Sequence, residues 1–234
     1  MSNASSAQPV VTRWWWVRHA PVREDGGRIY GQSDLGCDCS DRTVFQGLAR
    51  TLPQDAVWFS STLKRTQQTA AAVWDAGFPK PAAMSHEADF AEQNLGEWQG
   101  RDRAAFYASR PVQLGSYWFG PAEEQTPNGE SFLDLYARVG NRIKLINEAY
   151  VGRDIVAVTH GGTIKAAIAL ALGLGPQGGL SFAIENCSLT RLDYLTLNGE
   201  SGWRIGMVNH QPWLAGGDHP GMHQPAGPEV VKLA

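Results

Sequence analysis

Trp14-Trp15-Trp16-Val17 is a run of bulky apolar residues that stops abruptly at Arg18-His19-Ala20. A run that does not alternate with polar residues must be covered on both faces, as in a strand inside a sheet sandwiched between helices. Its sudden polar end is just as restrictive, because open α/β sheets keep their ligand sites at the carboxyl ends of their strands. The stretch therefore predicts a strand over Thr12–Val17 that delivers Arg18 and His19 to a site. Taken alone, it also fits a buried histidine with a purely structural role.

Two other segments repeat the pattern. Ala56-Val57-Trp58-Phe59 runs into Ser60-Ser61-Thr62 and a helix from about Leu63 to Trp74, with Arg65 in its first turn. Asp154-Ile155-Val156-Ala157-Val158 runs into Thr159-His160-Gly161-Gly162 and a helix over Thr163–Leu172. A short strand is predicted around Ala82–Ser85, and a helix capped at Ser40-Asp41 carries Val44, Phe45, Leu48 and Leu52 on one face. Phe132, Leu135, Val139, Ile143 and Ile146 mark a long amphipathic helix. Strands over Ser188–Leu197 and Trp203–Val208 close the domain. The expected fold is α/β, a three-layer α/β/α sandwich with a mostly parallel sheet and a small aromatic cap inserted at about 101–130. Residues 1–11 are read as a flexible N-terminus, 12–210 as the domain and 211–234 as a loosely ordered tail.

Composition narrows the function. With 20 Lys+Arg against 23 Asp+Glu the net charge is −3, so no global positive field draws nucleic acid or an anionic membrane. Ala166–Leu174 is far too short to span a bilayer. Cys37, Cys39 and Cys187 cannot all pair, which suggests a reducing, cytoplasmic setting. Cys37 and Cys39 lack the spacing of a zinc site, and no HExxH or His-x-His cluster suggests another metal.

In a parallel sheet the three polar strand ends share one edge and form one pocket. That pocket suits phosphate. Arginine offers a fixed fork of donors, and a helix opening at Gly161-Gly162 presents its positive end. Flanking arginines bias His19 toward the neutral form that a nucleophile requires. Attack on a phosphomonoester would then give a phosphohistidine, with Arg18, Arg65 and His160 stabilising the transferring group.

Arg18-His19-Ala20, Ser60 through Ala70, Glu92 with Gly96 and Gly100, Gly129-Glu130-Ser131 and Thr159-His160-Gly161-Gly162 together resemble the histidine phosphatase superfamily, with its phosphoglycerate mutase-like fold, over about 12–210. The resemblance implies His19 as phosphoryl acceptor, Arg18, Arg65 and His160 as phosphate ligands, and Glu92 as proton donor. Glu97 is the alternative donor. Ile29 to Asp34 is similar to a loop of bacterial small-molecule phosphatases of the α-ribazole phosphatase type. Ala20 stands where the family usually has glycine, and Pro21 to Asp25 lack the hydroxyl and asparagine of the mutases. Asp25 would repel phosphate unless the Gly26-Gly27 loop turns it away or Arg23 compensates.

Pro111 to Ser131 contains no Lys or Arg but does contain Tyr117, Trp118 and Phe119. This favours hydrolysis of a small phosphomonoester without metal or cofactor over a phosphoglycerate mutase reaction, which must hold a second anion. A catalytically idle phosphate-binding module is the remaining alternative. The sequence carries no signal for oligomeric state.

Overall fold

The computed structural model describes residues 8–111 and 114–214. Six strands form one sheet: β1 (Val10–Arg18), β2 (Val57–Ser61), β3 (Met84–Glu87), β4 (Asp154–Thr159), β5 (Leu189–Leu197) and β6 (Glu200–His210). Their order is β3-β2-β4-β1-β5-β6. Neighbours from β3 to β1 are parallel, whereas β5 and β6 continue the sheet in antiparallel fashion. On one face lie α1 (Arg42–Thr51) and α2 (Lys64–Asp75); on the other lie α4 (Phe132–Ala149) and α5 (Gly161–Leu172). The short α3 (Arg103–Ala108) and α6 (Gly175–Gly179) complete the α-helices among the described residues. This is the expected α/β sandwich. No helix among the described residues is long and apolar enough to cross a membrane.

The tryptophan run explains why β1 sits in the middle. Trp14 and Trp16 point to the α4/α5 side and stack with ring centroids 4.8 Å apart, while Trp15 and Val17 point to the α1/α2 side. Burying both faces leaves the indole N–H groups needing partners. Trp14 Nε1 donates to Asn147 Oδ1 at 2.8 Å and Trp15 Nε1 to Asp154 Oδ1 at 2.9 Å. Trp14→Ala is expected to cost about 3–5 kcal/mol, because it opens a cavity and orphans the Asn147 amide. A lower denaturant midpoint at unchanged m checks this.

Several boundaries differ from the sequence reading. β1 begins at Val10, because Val10 and Val11 pair with Thr196 and Leu195, so the ordered chain starts before residue 12. β3 lies two residues later than expected, and α5 starts at Gly161 rather than Thr163. The tail is not loose from its first residue: Trp213 packs on the core between the sheet and α1/α2, its backbone lying against Gly47 of α1 where a Cβ would meet it at 2.9 Å. Residues 1–7 and 215–234, on which the other terminal expectations fall, lie outside the described residues.

The segment between β3 and α4 forms a smaller core together with Ile29 of the loop after β1, built from Ile29, Leu95, Trp98 and Phe106 with Phe119 against them. Arg110 lies over the Trp98 and Phe106 rings at 4.9 and 5.0 Å and is ion-paired with Glu124.

Candidate active site

Because β1, β2 and β4 are parallel, their carboxyl ends bring Arg18-His19, Ser61 and Thr159-His160 to one edge, and α2 adds Arg65 from its first turn. His19, Arg65 and His160 are almost wholly buried; their chain neighbours Arg18 and Gly161, together with Glu92, line a cavity of about 400 Å³. That volume suits a small metabolite. The rings of His19 and His160 are 5.1 Å apart.

Hydrogen bonds fix both tautomers. His19 Nδ1 lies 2.7 Å from Ala20 O, which can only accept, so Nδ1 carries the proton and Nε2 keeps its lone pair. Arg65 Nε, which can only donate, reaches His160 Nδ1 at 3.3 Å, so His160 donates from Nε2 to Ser61 Oγ at 2.7 Å. Burial first, then the charges of Arg18 and Arg65, hold the His19 pKa well below the usual histidine value, against an opposing pull from Ala20 O. His160 is lowered by burial, by Arg65 and by its further charged neighbours. Both rings are therefore neutral at physiological pH.

The arginines are anchored on main-chain oxygens. Arg65 donates from Nη1 to Ser33 O at 2.8 Å and from Nη2 to Gly31 O at 2.7 Å, tying the loop after β1 to α2. Arg18 Nη1 donates to Ile184 O at 2.5 Å, while its buried Nε has no partner among the described residues. Leaving such a donor unpaired costs about 1–3 kcal/mol.

Glu92 and Glu97 part company. Glu92 lines the cavity, with Oε2 accepting from Gly162 N at 3.3 Å and Oε1 from Gln93 N at 3.0 Å. Glu97 is exposed, and its Oε1 accepts from Asn128 Nδ2 at 2.6 Å, in a turn away from the cavity. Glycine permits both arrangements. A Cβ at Gly162 would sit 2.3 Å from Glu92 Oε1, and one at Gly96 (φ +49°) would sit 2.0 Å from Pro127 O.

The family model described as histidine phosphatase superfamily (branch 1) matches residues 14–210. The chain belongs to that superfamily. It is 26% identical over 204 residues to a probable phosphoglycerate mutase, GpmB, of Yersinia enterocolitica, covering 86% of this chain and 87% of the relative. Its structure is similar to that of a mycobacterial glucosyl-3-phosphoglycerate phosphatase, with a TM-score of 0.71, 26% identity and coverage of 85% of this chain and 99% of that one. It also shares the fold of a candidate alpha-ribazole-5′-P phosphatase from Escherichia coli K-12, with a TM-score of 0.66 at 20% identity, covering 86% and 97% of the two chains.

Within this histidine phosphatase fold, several site residues escape a reading of the sequence. Arg138 on α4 donates to the carbonyls of Asp89, Ala91 and Glu92 at 2.7, 2.9 and 3.0 Å and pairs with Glu130, clamping the loop that carries Glu92. Asn186 Nδ2 holds His19 O at 2.8 Å, and Thr69 Oγ1 accepts from Ala20 N at 2.8 Å. Lys165 is the sole cation in an otherwise apolar helix, and that contrast is the signal that could have found it.

Two expectations need correction. Asp25 is not compensated by Arg23, which pairs with Asp38; Arg103 of α3 takes that part, with Gly27 N–H adding a bond at 2.9 Å. Burial opposes ionisation of Asp25, but these bonds outweigh it and hold its pKa below the ordinary carboxylate value. Nor is the cavity poor in cations. Arg103 and Lys165 line it from outside Pro111–Ser131, and Lys165 Nζ donates to Tyr117 O at 2.8 Å while lying 5.1 Å from the Trp118 ring centre.

Proposed function

We propose that this chain is a metal-independent phosphomonoester hydrolase that acts on a small phosphorylated metabolite through a phosphohistidine at His19. One observation carries the reading: a buried, neutral histidine whose Nδ1–H is held by Ala20 O, leaving the Nε2 lone pair for phosphorus between Arg18 and Arg65. Attack by Nε2 forms the N–P bond as the P–O bond to the alcohol breaks, and Glu92 supplies the proton that the leaving oxygen needs. Water then takes the phosphoryl group from His19, with Glu92 accepting its proton. Arg18 and Arg65 offset charge on the transferring oxygens, and His160 joins them when its Nε2–H turns from Ser61 Oγ to the phosphoryl group. The name of the mycobacterial relative supports a phosphatase, whereas that of the Yersinia relative supports a mutase.

Incubation with 3-phosphoglycerate and its 2,3-bisphosphate separates the two reactions. The proposal expects phosphate release to match loss of substrate, and also expects turnover of p-nitrophenyl phosphate. Isomerisation that outruns phosphate release contradicts it. An idle module would show neither.

The donor assignment predicts a dependence on the leaving group. Glu92→Gln is expected to lower kcat/KM about 10²–10⁴-fold for alkyl phosphates but far less for p-nitrophenyl phosphate, whose phenolate leaves without a proton. Glu97→Gln stays at the wild-type rate. A leaving-group effect in the Glu97 variant and none in the Glu92 variant would reverse the assignment.

Lys165, beside Tyr117 and Trp118, extends the reading to a substrate that carries a second anionic group. Burial lowers the Lys165 pKa to about 8, with Glu92 opposing and Arg18 adding to the shift, so its charge is present below pH 8 and lost above it. For such a substrate KM should rise about tenfold or more between pH 7 and 9, and Lys165→Met should show the high KM at both values. A flat KM in the wild type would remove Lys165 from substrate binding.

A further inference from the structure

Cys37 and Cys39 lie outside the phosphate cavity, in the extended segment that leads into α1. Residues two apart on an extended chain point to the same side but sit about 6.5 Å apart, too far for their sulfurs to meet without a bend. Here the segment is bent at Asp38, whose N–H donates to Pro21 O at 2.7 Å and whose Oδ1 accepts from Ser40 N at 2.9 Å. The two sulfurs are thereby brought to 3.6 Å. Both thiols are half-buried and open onto a separate cavity of about 350 Å³ between α1 and α2. Cys37 Sγ also touches Arg65 O at 3.3 Å and Thr69 Oγ1 at 3.6 Å.

We propose that Cys37 and Cys39 form an oxidant-reactive dithiol that closes an intrachain disulfide and thereby loosens the support beneath His19; only its activity readout rests on the phosphatase reading. The oxidant class is a peroxide. Cys37 thiolate attacks the O–O bond, giving a sulfenic acid and hydroxide; Cys39 then attacks that sulfur, forming the S–S bond and releasing the second oxygen as water. Two thiols and one peroxide become one disulfide and two waters.

The pair is suitably asymmetric. A hydrogen bond from Cys39 lowers the Cys37 pKa to about 7 against burial, with help from Thr69 and Arg65, while the same bond and burial push Cys39 up, so Cys37 attacks and Cys39 resolves. Cys187 is a bystander: it is 3% exposed, and burial raises its pKa to about 12. Closing the sulfurs from 3.6 Å to the bonded distance of about 2.05 Å draws Cys37 off Arg65 O and Thr69. Thr69 Oγ1 holds Ala20 N, and Ala20 O holds His19 Nδ1, so the disturbance reaches the nucleophile in two steps.

The test treats the full chain with hydrogen peroxide, alkylates the remaining thiols, maps the peptides, and measures p-nitrophenyl phosphate turnover before oxidation, after it and after dithiothreitol. The expected product has lost two hydrogens, contains a Cys37–Cys39 link and turns over severalfold more slowly until reduced. Cys39→Ser should stop at a dimedone-reactive sulfenic acid on Cys37, and Cys37→Ser should resist oxidation. Both cysteines remaining alkylatable, or a link formed without loss of turnover, overturns the proposal. A reduced wild type without turnover instead contradicts the phosphatase reading. Hydrogen exchange at Ala20 N–H then reads the loosening, faster in the oxidised form if the proposal holds and unchanged if it does not.

Discussion

Arg65→Lys is expected to lose at least about 10²-fold in kcat/KM and to lower stability as well, although it keeps the positive charge. The reason is geometric. The guanidinium is wholly buried and uses three nitrogens at once, on Ser33 O, Gly31 O and His160 Nδ1. An ammonium on a flexible stem cannot reach three separated acceptors in one plane, so at least one is left buried and unpaired, at about 1–3 kcal/mol each. His160 would also lose the donor that fixes its tautomer. The kinetic loss and the lowered denaturant midpoint should appear together, since one side chain holds the loop after β1 and, on the proposed reading, binds the phosphate as well. A variant close to wild type in both would show that Arg65 is neither a phosphate ligand nor a brace.

The frame of this site was legible in the sequence where local pattern and chemistry coincide. The unalternating Trp14–Val17 run could only be a covered strand, and its end at Arg18-His19 matched the ends of β2 and β4. Once those strands are parallel, their shared edge follows. What stayed hidden depends on pairings between distant segments. Arg103 meets Asp25, and Arg138 reaches the Glu92 loop, through side chains whose direction is set only when the cap folds against α4 and the loop after β1. Lys165 is one polar residue in an apolar helix, and Pro111–Ser131 is bare of cations because those of the cavity come from its flanks. The choice between Glu92 and Glu97 likewise needed the turn at Gly96, whose positive φ separates the two carboxylates.

The second large effect concerns His19. On the proposed reading, replacing it by alanine removes the phosphoryl acceptor, so turnover should fall to background even with Arg18, Arg65 and His160 intact. Loss of activity alone would not establish covalent catalysis, because any disturbance of the site would slow the reaction. Trapping the intermediate does. Substrate labelled in its phosphoryl group is mixed with the protein and quenched within milliseconds in denaturing alkali, in which a phosphohistidine survives. The account predicts label on the peptide that contains His19, released by mild acid, formed and consumed at rates compatible with kcat, and missing from His19→Ala. Turnover by the wild type with no label at His19, or with label on another residue, would contradict it.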